Sequence, residues 1–388
     1  MKKIDQKVSN CLNNLRRFIE SEKYSGYDPY DALNSPLINM FHFNNKWIKI
    51  AFTQLLKKLP INLRPFLGIR KGFNPKAVGL FLGGYAKLSI IENFTENNKK
   101  IDFFIDLLTQ LVCKGYSGNC WGFNFDWQSR TFFRPKGTPT IVNTSFIGHA
   151  LLDCYKLTGN KKSLSMALSI KDFLLMDLKR TYFKDTFCFS YTPVDTAVVH
   201  NANMLGASLL IRLNKHFPGE NLEKFALKSL KYSMIHQRED GSWYYADTLT
   251  ERWIDSFHTG FNLQALNCFL ERGYAEDYKN AFEKGIQFYK NNFFLKNGMP
   301  KYYHNKIYPI DIHSPAQAIY FFSGMGEEYK DLTYTIIEWL LSNMLNKDGS
   351  FYYQKTKLYI NKISYLRWSQ AWVFHALVEF LYNLKKQK

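Results

Sequence analysis

Polar residues of a few chemical types recur at a regular spacing along the chain. Asn143, His200, His258, His313 and Gln370 are separated by 57, 58, 55 and 57 positions. Three of the five are histidines, and imidazole exchanges protons near neutral pH. A single histidine on an apolar helix is usually a hydrogen-bonded core residue, but three at one period predict that at least one of them acts as an acid or a base.

Asparagine side chains accompany two of these histidines. Asn201 directly follows His200, and Asn262 lies four positions after His258, on the same face if the segment is a helix. The rest of each segment is apolar. A polar end on an otherwise buried helix predicts a polar cavity at that end.

Aspartates precede or fall between the same segments, at positions 126, 195, 255 and 311. A carboxylate just before a helix commonly accepts its first backbone N–H groups, and this interpretation suits Asp195 and Asp311. Asp126 and Asp255 instead lie among aromatic residues, which would desolvate the carboxyl group and raise its pKa. The predicted acid–base residues are therefore His200, His258, Asp255, His313 and Asp126, with His200 and His258 as the leading proton-transfer pair.

Aromatic, amide and arginine side chains near these positions are candidate ligand contacts. Aromatic rings in turns could stack on sugar rings, and an arginine can pair in a bidentate manner with a carboxylate or phosphate. Arg367 is predicted to hold a substrate anion. The predicted substrate-binding residues are Trp121, Asn124, Trp127, Arg130, Asn143, Asp195, Asn201, Trp243, Asn262, Tyr303, Arg367, Trp368 and Gln370.

The sequence predicts neither a metal site nor a cofactor. Three histidines could supply the ligands of a catalytic zinc ion, but they belong to different repeats and no H-E-x-x-H motif is present. The six cysteines are dispersed without a C-x-x-C pair, so no disulfide framework is expected.

The elements that must position these residues form a repeat. A turn rich in aromatic residues occurs five times, as GNCWGFNFDW (118–127), DTFCFSYTPVD (185–195), EDGSWYYAD (239–247), KNGMPKYYH (296–304) and KDGSFYYQK (347–355). Apolar helical segments are predicted at 76–95, 141–158, 196–214, 256–272, 312–325 and 365–385. Amphipathic helices are predicted between them at 98–114, 161–178, 220–237, 275–292 and 328–345, with a sixth at either 7–22 or 46–58.

A period of about 56 residues containing two helices, repeated six times, is typical of an (α/α)6 toroid, in which six inner helices are ringed by six outer ones. The predicted fold is therefore all-α, with short β-like turns at one end. An open helical solenoid is the competing architecture, but its repeats are usually shorter. The predicted organisation is an N-terminal extension at 1–75, packed on the ring, and the toroid at 76–388.

Charge and composition restrict the partners. The net charge is +18, from 51 Lys and Arg against 33 Asp and Glu, and aromatic residues make up 17% of the chain. An acidic glycan or an anionic membrane surface fits this charge, whereas no nucleic-acid recognition motif is present. No apolar stretch follows the basic start MKKIDQK and none is long enough to span a membrane, so a cytoplasmic location is expected, with peripheral membrane contact left open.

Several segments resemble known toroids. QREDGSW (237–243) resembles the Q-x-x-x-G-x-W element of terpene-cyclase and prenyltransferase-like toroids. Residues 76–385 resemble the (α/α)6 carbohydrate-active families, namely uronyl C5-epimerases, polysaccharide lyases and unsaturated glucuronyl hydrolases. GYDPYDALNSPL, GNCWGFNFDWQ and HTGFNLQAL are similar to segments of proteins encoded in bacterial surface-polysaccharide gene clusters. The Asp-x-Asp-Asp acid motif of terpene cyclases and the Cys-His-Gly element of lanthionine cyclases are absent from the sequence.

The resemblance implies an enzyme of surface-polysaccharide metabolism that acts on an acidic oligo- or polysaccharide, with lipid linkage left open. Proton abstraction beside a uronate carboxylate, giving C5-epimerisation or β-elimination, is the leading hypothesis. A hydrolase would need two carboxylates about 5–10 Å apart, and Asp126 with Asp195 or Asp255 could supply them. A toroid that only binds a glycan or its lipid carrier is the alternative outside enzymology.

Overall fold

The computed structural model describes residues 2–40, 45–92, 95–128 and 133–387, and it is an (α/α)6 toroid. The inner ring consists of α4 (Pro75–Glu92), α6 (Ile141–Thr158), α8 (His200–Leu213), α10 (Ser256–Leu270), α12 (His313–Ser323) and α14 (Trp372–Lys386), the last preceded by a π-helical turn at Leu366–Ala371. Each inner helix contacts the next, and α14 contacts α4. The ring is therefore closed, which excludes the open solenoid.

The outer layer contains α1 (Lys2–Ser21), α5 (Thr95–Gln110), α7 (Lys161–Asp172), α9 (Leu222–Met234), α11 (Lys279–Phe293) and α13 (Lys330–Asn343). Each of the last five packs on the inner helix that precedes it, while α1 packs on α13 and α14. Of the two segments considered for the sixth outer position, the N-terminal one occupies it. Helix α1 thereby covers the junction between the first and last repeats.

Close approach of the inner helices depends on glycine. A Cβ atom added at Gly84 of α4 would lie 2.3 Å from the ring of Phe374 on α14, and one added at Gly148 of α6 would lie 2.5 Å from Leu209 on α8. Such distances are far inside van der Waals contact, so any larger residue would separate the helices. Small residues in apolar segments therefore mark where the ring is tightest.

Short strands lie in the loops that lead into the inner helices. They are β1 (Trp127–Gln128) with β2 (Phe133–Arg134), β3 (Arg180–Phe183) with β4 (Thr186–Phe189), and the sheet of β5 (Ile310–Asp311), β6 (Gln354–Lys355) and β7 (Ile360–Asn361). Inner-helix side chains fix these turns: Asn203 accepts the backbone N–H of Phe189 at 2.9 Å, and Thr144 accepts that of Trp121 at 3.1 Å. The predicted β-like turns at one end are confirmed.

The segment between α1 and α4 crosses the end of the ring at which the inner helices begin. It includes α2 (Pro36–Met40) and α3 (Lys46–Lys58). Asp28 of this segment forms a bidentate ion pair with Arg367 at 2.5 and 2.8 Å, and Asp31 pairs with Arg64 at 2.6 Å. All four side chains are buried. The GYDPYDAL loop is thus attached to the last repeat of the ring by charge as well as by packing.

Replacing Arg367 with Met is expected to destabilise the fold by about 3–5 kcal/mol, because Asp28 would remain as a buried carboxylate without its cation. Urea denaturation followed by circular dichroism measures the change in the free energy of unfolding. Lys162→Met, which removes the exposed Lys162–Asp106 pair, is the control and should change stability little. Equal effects of the two substitutions would contradict the structural role assigned to the Asp28 pair.

A cavity of about 750 Å³ is at the opposite end of the ring, where the inner helices finish. Four of its charged groups form two pairs: Arg212 binds Asp153 at 2.6 Å, and Lys87 binds Glu379. Across the described residues, no helix is both long and apolar enough to cross a membrane.

Candidate functional site

Buried polar atoms with no partner among the described residues collect where the inner helices begin. They include both amide atoms of Asn143, the side-chain oxygens of Asn201 and Asn262, and both ring nitrogens of His313. A buried polar group without a hydrogen bond costs about 1–3 kcal/mol, and native proteins contain few of them. Their concentration at one end of the ring marks this end as a place prepared for a polar ligand.

An aromatic floor closes the axis of the ring beneath these groups. The rings of Phe146, Phe261 and Trp372 lie with their centroids 4.9, 5.2 and 5.4 Å apart. The ammonium group of Lys76 lies over all three, at 4.0, 5.2 and 5.0 Å from their centroids. The floor separates this end of the ring from the charged cavity at the other.

Lys76 is a site residue that sequence reasoning missed. It is 4% exposed, and among the described residues it has no carboxylate within salt-bridge distance. Burial, together with the positive charge of nearby Arg367, holds its pKa well below the usual range. The sequence did contain a sign of this role. Lys76 is in the first turn of the most apolar predicted helix, where a charged side chain would not be expected to face solvent.

His258 is oriented by a carboxylate. Its Nδ1 lies 2.7 Å from Asp255, whose other oxygen accepts the backbone N–H of His258 at 3.0 Å. The indole N–H of Trp253 also donates to Asp255. Because Nδ1–H is held by the carboxylate, Nε2 carries the free lone pair, as in an imidazole base supported by an acid.

A narrow cleft beside His258 includes Asn201, Asn262 and Trp243 among its lining residues. Tyr245 lies 4.7 Å from the imidazole of His258, measured between ring centroids. The cleft thus combines one base, two asparagine amides and aromatic surface, which is the composition of a sugar-binding site.

His313 is the second imidazole at the axis. Its ring stacks on Phe257 at 4.5 Å and lies 4.5 Å from Trp372 and 4.9 Å from Trp368. Burial lowers its pKa well below the usual range, and the positive charges of Lys76 and Arg367 add to this effect. His313 is therefore a neutral imidazole that can donate or accept one hydrogen bond.

The structure pairs His258 with His313, not with His200. The rings of His258 and His313 both lie within 6 Å of the ring of Phe261. His200 instead binds Asp247 at 2.8 Å and stacks near His236, in a cluster between α8 and α9. The side chains of His200 and His258 therefore belong to different clusters, and their role as a proton-transfer pair stays a prediction. Among the described residues the three histidines do not form a group that could hold a metal ion.

The four aspartates have different roles in the structure. Asp255 caps α10, while Asp195 accepts backbone and hydroxyl donors of its own turn and pairs with Arg134 at 3.4 Å, without capping α8. Asp311 accepts the backbone N–H of His313 and the indole N–H of Trp368, and burial raises its pKa to about 6. Burial likewise raises the pKa of Asp31 to about 6.

Several predicted ligand contacts serve the protein instead. Trp121 is fully buried and donates its indole N–H to the carbonyl of Leu108. The side-chain amide of Gln370 accepts the backbone N–H of Phe351 and donates to the backbone carbonyl of the same residue. Arg367 is already neutralised by Asp28. A sugar platform at Trp121 and a direct amide contact from Gln370 are thus corrected, because tertiary packing uses these groups. Trp243 is also buried, with its indole N–H bound to Ser233.

The remaining predicted residues that the structure describes lie near β1, β2 and Asp255. Asn124 is bound by Asn74 at 2.8 Å, and Asp126 accepts the backbone N–H of Lys136 at 2.6 Å. Trp127 is half-buried, and the guanidinium carbon of Arg134 lies 4.7 Å from the centroid of its ring. Tyr303 is half-buried next to Asp255, and burial raises its pKa. Arg130 lies outside the described residues.

Comparison with solved structures finds the same architecture in carbohydrate-active enzymes of three reaction types. Cellobiose 2-epimerase from Bacillus thermoamylovorans B4167 superimposes with a TM-score of 0.68, at 12% identity over 98% of this chain and 99% of that one. A polysaccharide lyase gives 0.60 at 8% identity over 99% and 98% of the two chains. A family 88 glycosyl hydrolase from Bacteroides vulgatus gives 0.55 at 12% identity over 84% and 96%.

No protein-family profile matches the sequence, and no curated protein is significantly similar to it. At these identities the structural likeness establishes the fold and leaves the reaction open. The resemblance to carbohydrate-active toroids inferred from the sequence is confirmed at this level. The reaction must therefore be inferred from the residues of this chain.

Proposed function

We propose that this protein is an enzyme that moves a proton on a carbon atom beside the carboxylate of an acidic sugar. The observation that carries the proposal is the pair of imidazoles, His258 and His313, at a buried site that also holds the ammonium of Lys76. Epimerisation at C5 of a uronate and β-elimination both begin with this proton transfer.

Each residue has a role in such a step. Nε2 of His258 takes the proton from the sugar carbon, and Asp255 stabilises the imidazolium that forms. A bound substrate carboxylate opposes the burial that lowers the pKa of Lys76 and favours its protonated form. The ion pair that results stabilises the negative charge that develops on the carboxylate, since no carboxylate of the described residues pairs with Lys76. His313, as a neutral imidazole, donates a hydrogen bond to the developing anion. In elimination the imidazolium of His258 gives its proton to the leaving oxygen, and in epimerisation a solvent proton is delivered to the opposite face of the carbon.

The hydrolase alternative has less support from the carboxylates. Asp255 is bound to His258, and Asp311 is held by Trp368 and the start of α12. Asp126 binds a backbone amide of its own hairpin. A glycosidase needs one carboxyl group free to protonate the leaving oxygen and another to activate water or attack the sugar.

The proposal extends to an acidic glycan of surface-polysaccharide metabolism, on the basis of the three segments that resemble proteins of those gene clusters. Uronate-containing oligosaccharides incubated with the protein in D₂O, and followed by NMR and ultraviolet absorbance, test it. Deuterium at C5 without an unsaturated product indicates an epimerase, and an unsaturated product indicates a lyase. New reducing ends without either would favour the hydrolase, and binding without any reaction would favour the glycan-binding toroid.

A further inference from the structure

Helix α3 has two apolar faces, and only one of them is covered. Phe52, Thr53 and Leu56 pack toward the ring, in a small core that contains Ala32 and Ile69. Trp47 and Leu55, on the other face, are each 58% exposed. An amphipathic surface helix normally turns charged residues outward, so an apolar outer face requires an explanation.

The outer face is defined here as the exposed side chains of Trp47, Ile48, Ala51, Leu55 and Lys58. These positions follow one another at helical spacing and form a single stripe. Further exposed apolar side chains in the same N-terminal segment are Leu37, Ile61 and Phe66.

Charge distinguishes among the surfaces that could cover this face. Residues 32–91 contain nine lysines and arginines and no aspartate or glutamate. The ammonium of Lys46 lies over the ring of Trp47, 5.1 Å from its centroid. Two copies of such a basic face would repel each other, whereas a bilayer with anionic headgroups offers both an apolar layer and opposite charge.

The position of α3 connects this face to the candidate site. Helix α3 contacts β1 and the 3₁₀ turn Asp31–Asn34, and Lys57 donates a hydrogen bond to the hydroxyl of Tyr30 at 2.7 Å. The ammonium of Lys49 lies 4.6 Å from the ring of Phe133 in β2. These elements belong to the end of the ring where the inner helices begin.

We propose that the outer face of α3 docks the protein on an anionic lipid bilayer. Trp47, Ile48 and Leu55 enter the boundary between headgroups and acyl chains, and the lysines of α3 contact lipid phosphates. Docking in this orientation brings the candidate site to the membrane surface, where it can reach a glycan carried on a lipid. That last step rests on the proposed function, whereas the docking itself does not.

Sedimentation with vesicles tests the docking. The full chain should bind vesicles of phosphatidylcholine with phosphatidylglycerol, bind vesicles of phosphatidylcholine alone weakly, and lose affinity as salt is raised. Trp47→Gln/Leu55→Gln should weaken binding about tenfold or more, because two apolar anchors are lost. The matched control is Ile90→Gln/Phe103→Gln, in which side chains of 42% and 41% exposure on other helices are changed and binding should persist.

Three results would overturn the proposal. They are binding of the Trp47/Leu55 variant equal to that of the wild type, absence of binding to both kinds of vesicle, and a dimer in light scattering that this variant dissociates. Circular dichroism verifies that both variants fold. Activity on a soluble acidic glycan without vesicles should be the same in the wild type and the Trp47/Leu55 variant, so failure of the docking and failure of the proposed chemistry remain distinguishable.

Discussion

His258→Ala is expected to slow the incorporation of solvent deuterium at the sugar carbon by about 10²–10⁴-fold, the usual loss when a general base is removed. His258 is partly exposed to the cleft and its Nδ1 is held by Asp255, so Nε2 is the nitrogen that can reach a substrate. Removing the ring leaves Asp255 as the cap of α10 and should preserve the fold. The measurement is NMR exchange in D₂O at saturating substrate.

His200→Ala is the matched control for this experiment. His200 starts the preceding inner helix and also binds a carboxylate, Asp247, but its ring belongs to the cluster between α8 and α9. Its loss should lower the free energy of unfolding and leave exchange by the folded enzyme near the wild-type rate. If exchange depends on His200 and not on His258, then His200 is the base that the sequence predicted, and the proposed pair of His258 and His313 is wrong.

Lys76→Met is expected to weaken the binding of an acidic oligosaccharide by about 10²–10³-fold, because a buried charge pair between ligand and protein is removed. The same substitution should leave stability unchanged or increase it. A lysine without an acidic partner in the protein costs free energy when buried, and methionine fills nearly the same volume against Phe146, Phe261 and Trp372. Calorimetric titration and thermal unfolding measure the two effects.

Weaker ligand binding without a loss of stability distinguishes a ligand-binding lysine from a structural one. A structural lysine would lose stability on substitution, and its loss would affect acidic and neutral ligands alike. A neutral oligosaccharide of the same length should bind equally to the wild type and to Lys76→Met. Lys49→Met is the control for net charge, because Lys49 lies near the same end of the ring but outside the cavity floor. If Lys76→Met binds the acidic ligand as tightly as the wild type does, the proposal that the substrate is an anion held by Lys76 is wrong.

Aromatic rings surround the two imidazoles. Phe257 contacts both of them, with its centroid 4.2 Å from that of His258 and 4.5 Å from that of His313. Rings on both sides fix the imidazole planes and exclude water, which strengthens every electrostatic interaction with a bound anion. A polar cavity with fewer aromatic residues would screen the charge of Lys76.

The period of the polar positions and the apolar character of the inner segments were sufficient to predict the ring. Burial on all sides is a property of a helix that can be seen in its own sequence, and the spacing of about 56 residues follows from counting. The start of each inner helix was predicted within a few positions, with α8 beginning at His200 and α10 at Ser256.

The direction of each polar side chain could not be read from the same pattern. His200, His258 and Gln370 occupy equivalent positions in the repeat, yet the first binds α9 and its following loop, the second faces the cleft, and the third closes a turn with Phe351. Rotation of each helix about its own axis decides between these outcomes. That rotation depends on how two neighbouring helices and a hairpin pack together.

The sequence by itself determined the closed ring of helices, the end of the ring where polar residues gather, and the candidacy of His258, His313, Asn143 and Asn262. Only the tertiary structure decided that Lys76 joins them and that Arg367 does not, because Asp28 reaches Arg367 across 339 positions of chain. An ion pair between residues so far apart in the sequence cannot be recognised from the spacing of the repeat. Local patterns record which residues must be buried, whereas the pairing of buried charges is settled by the packing of the whole ring.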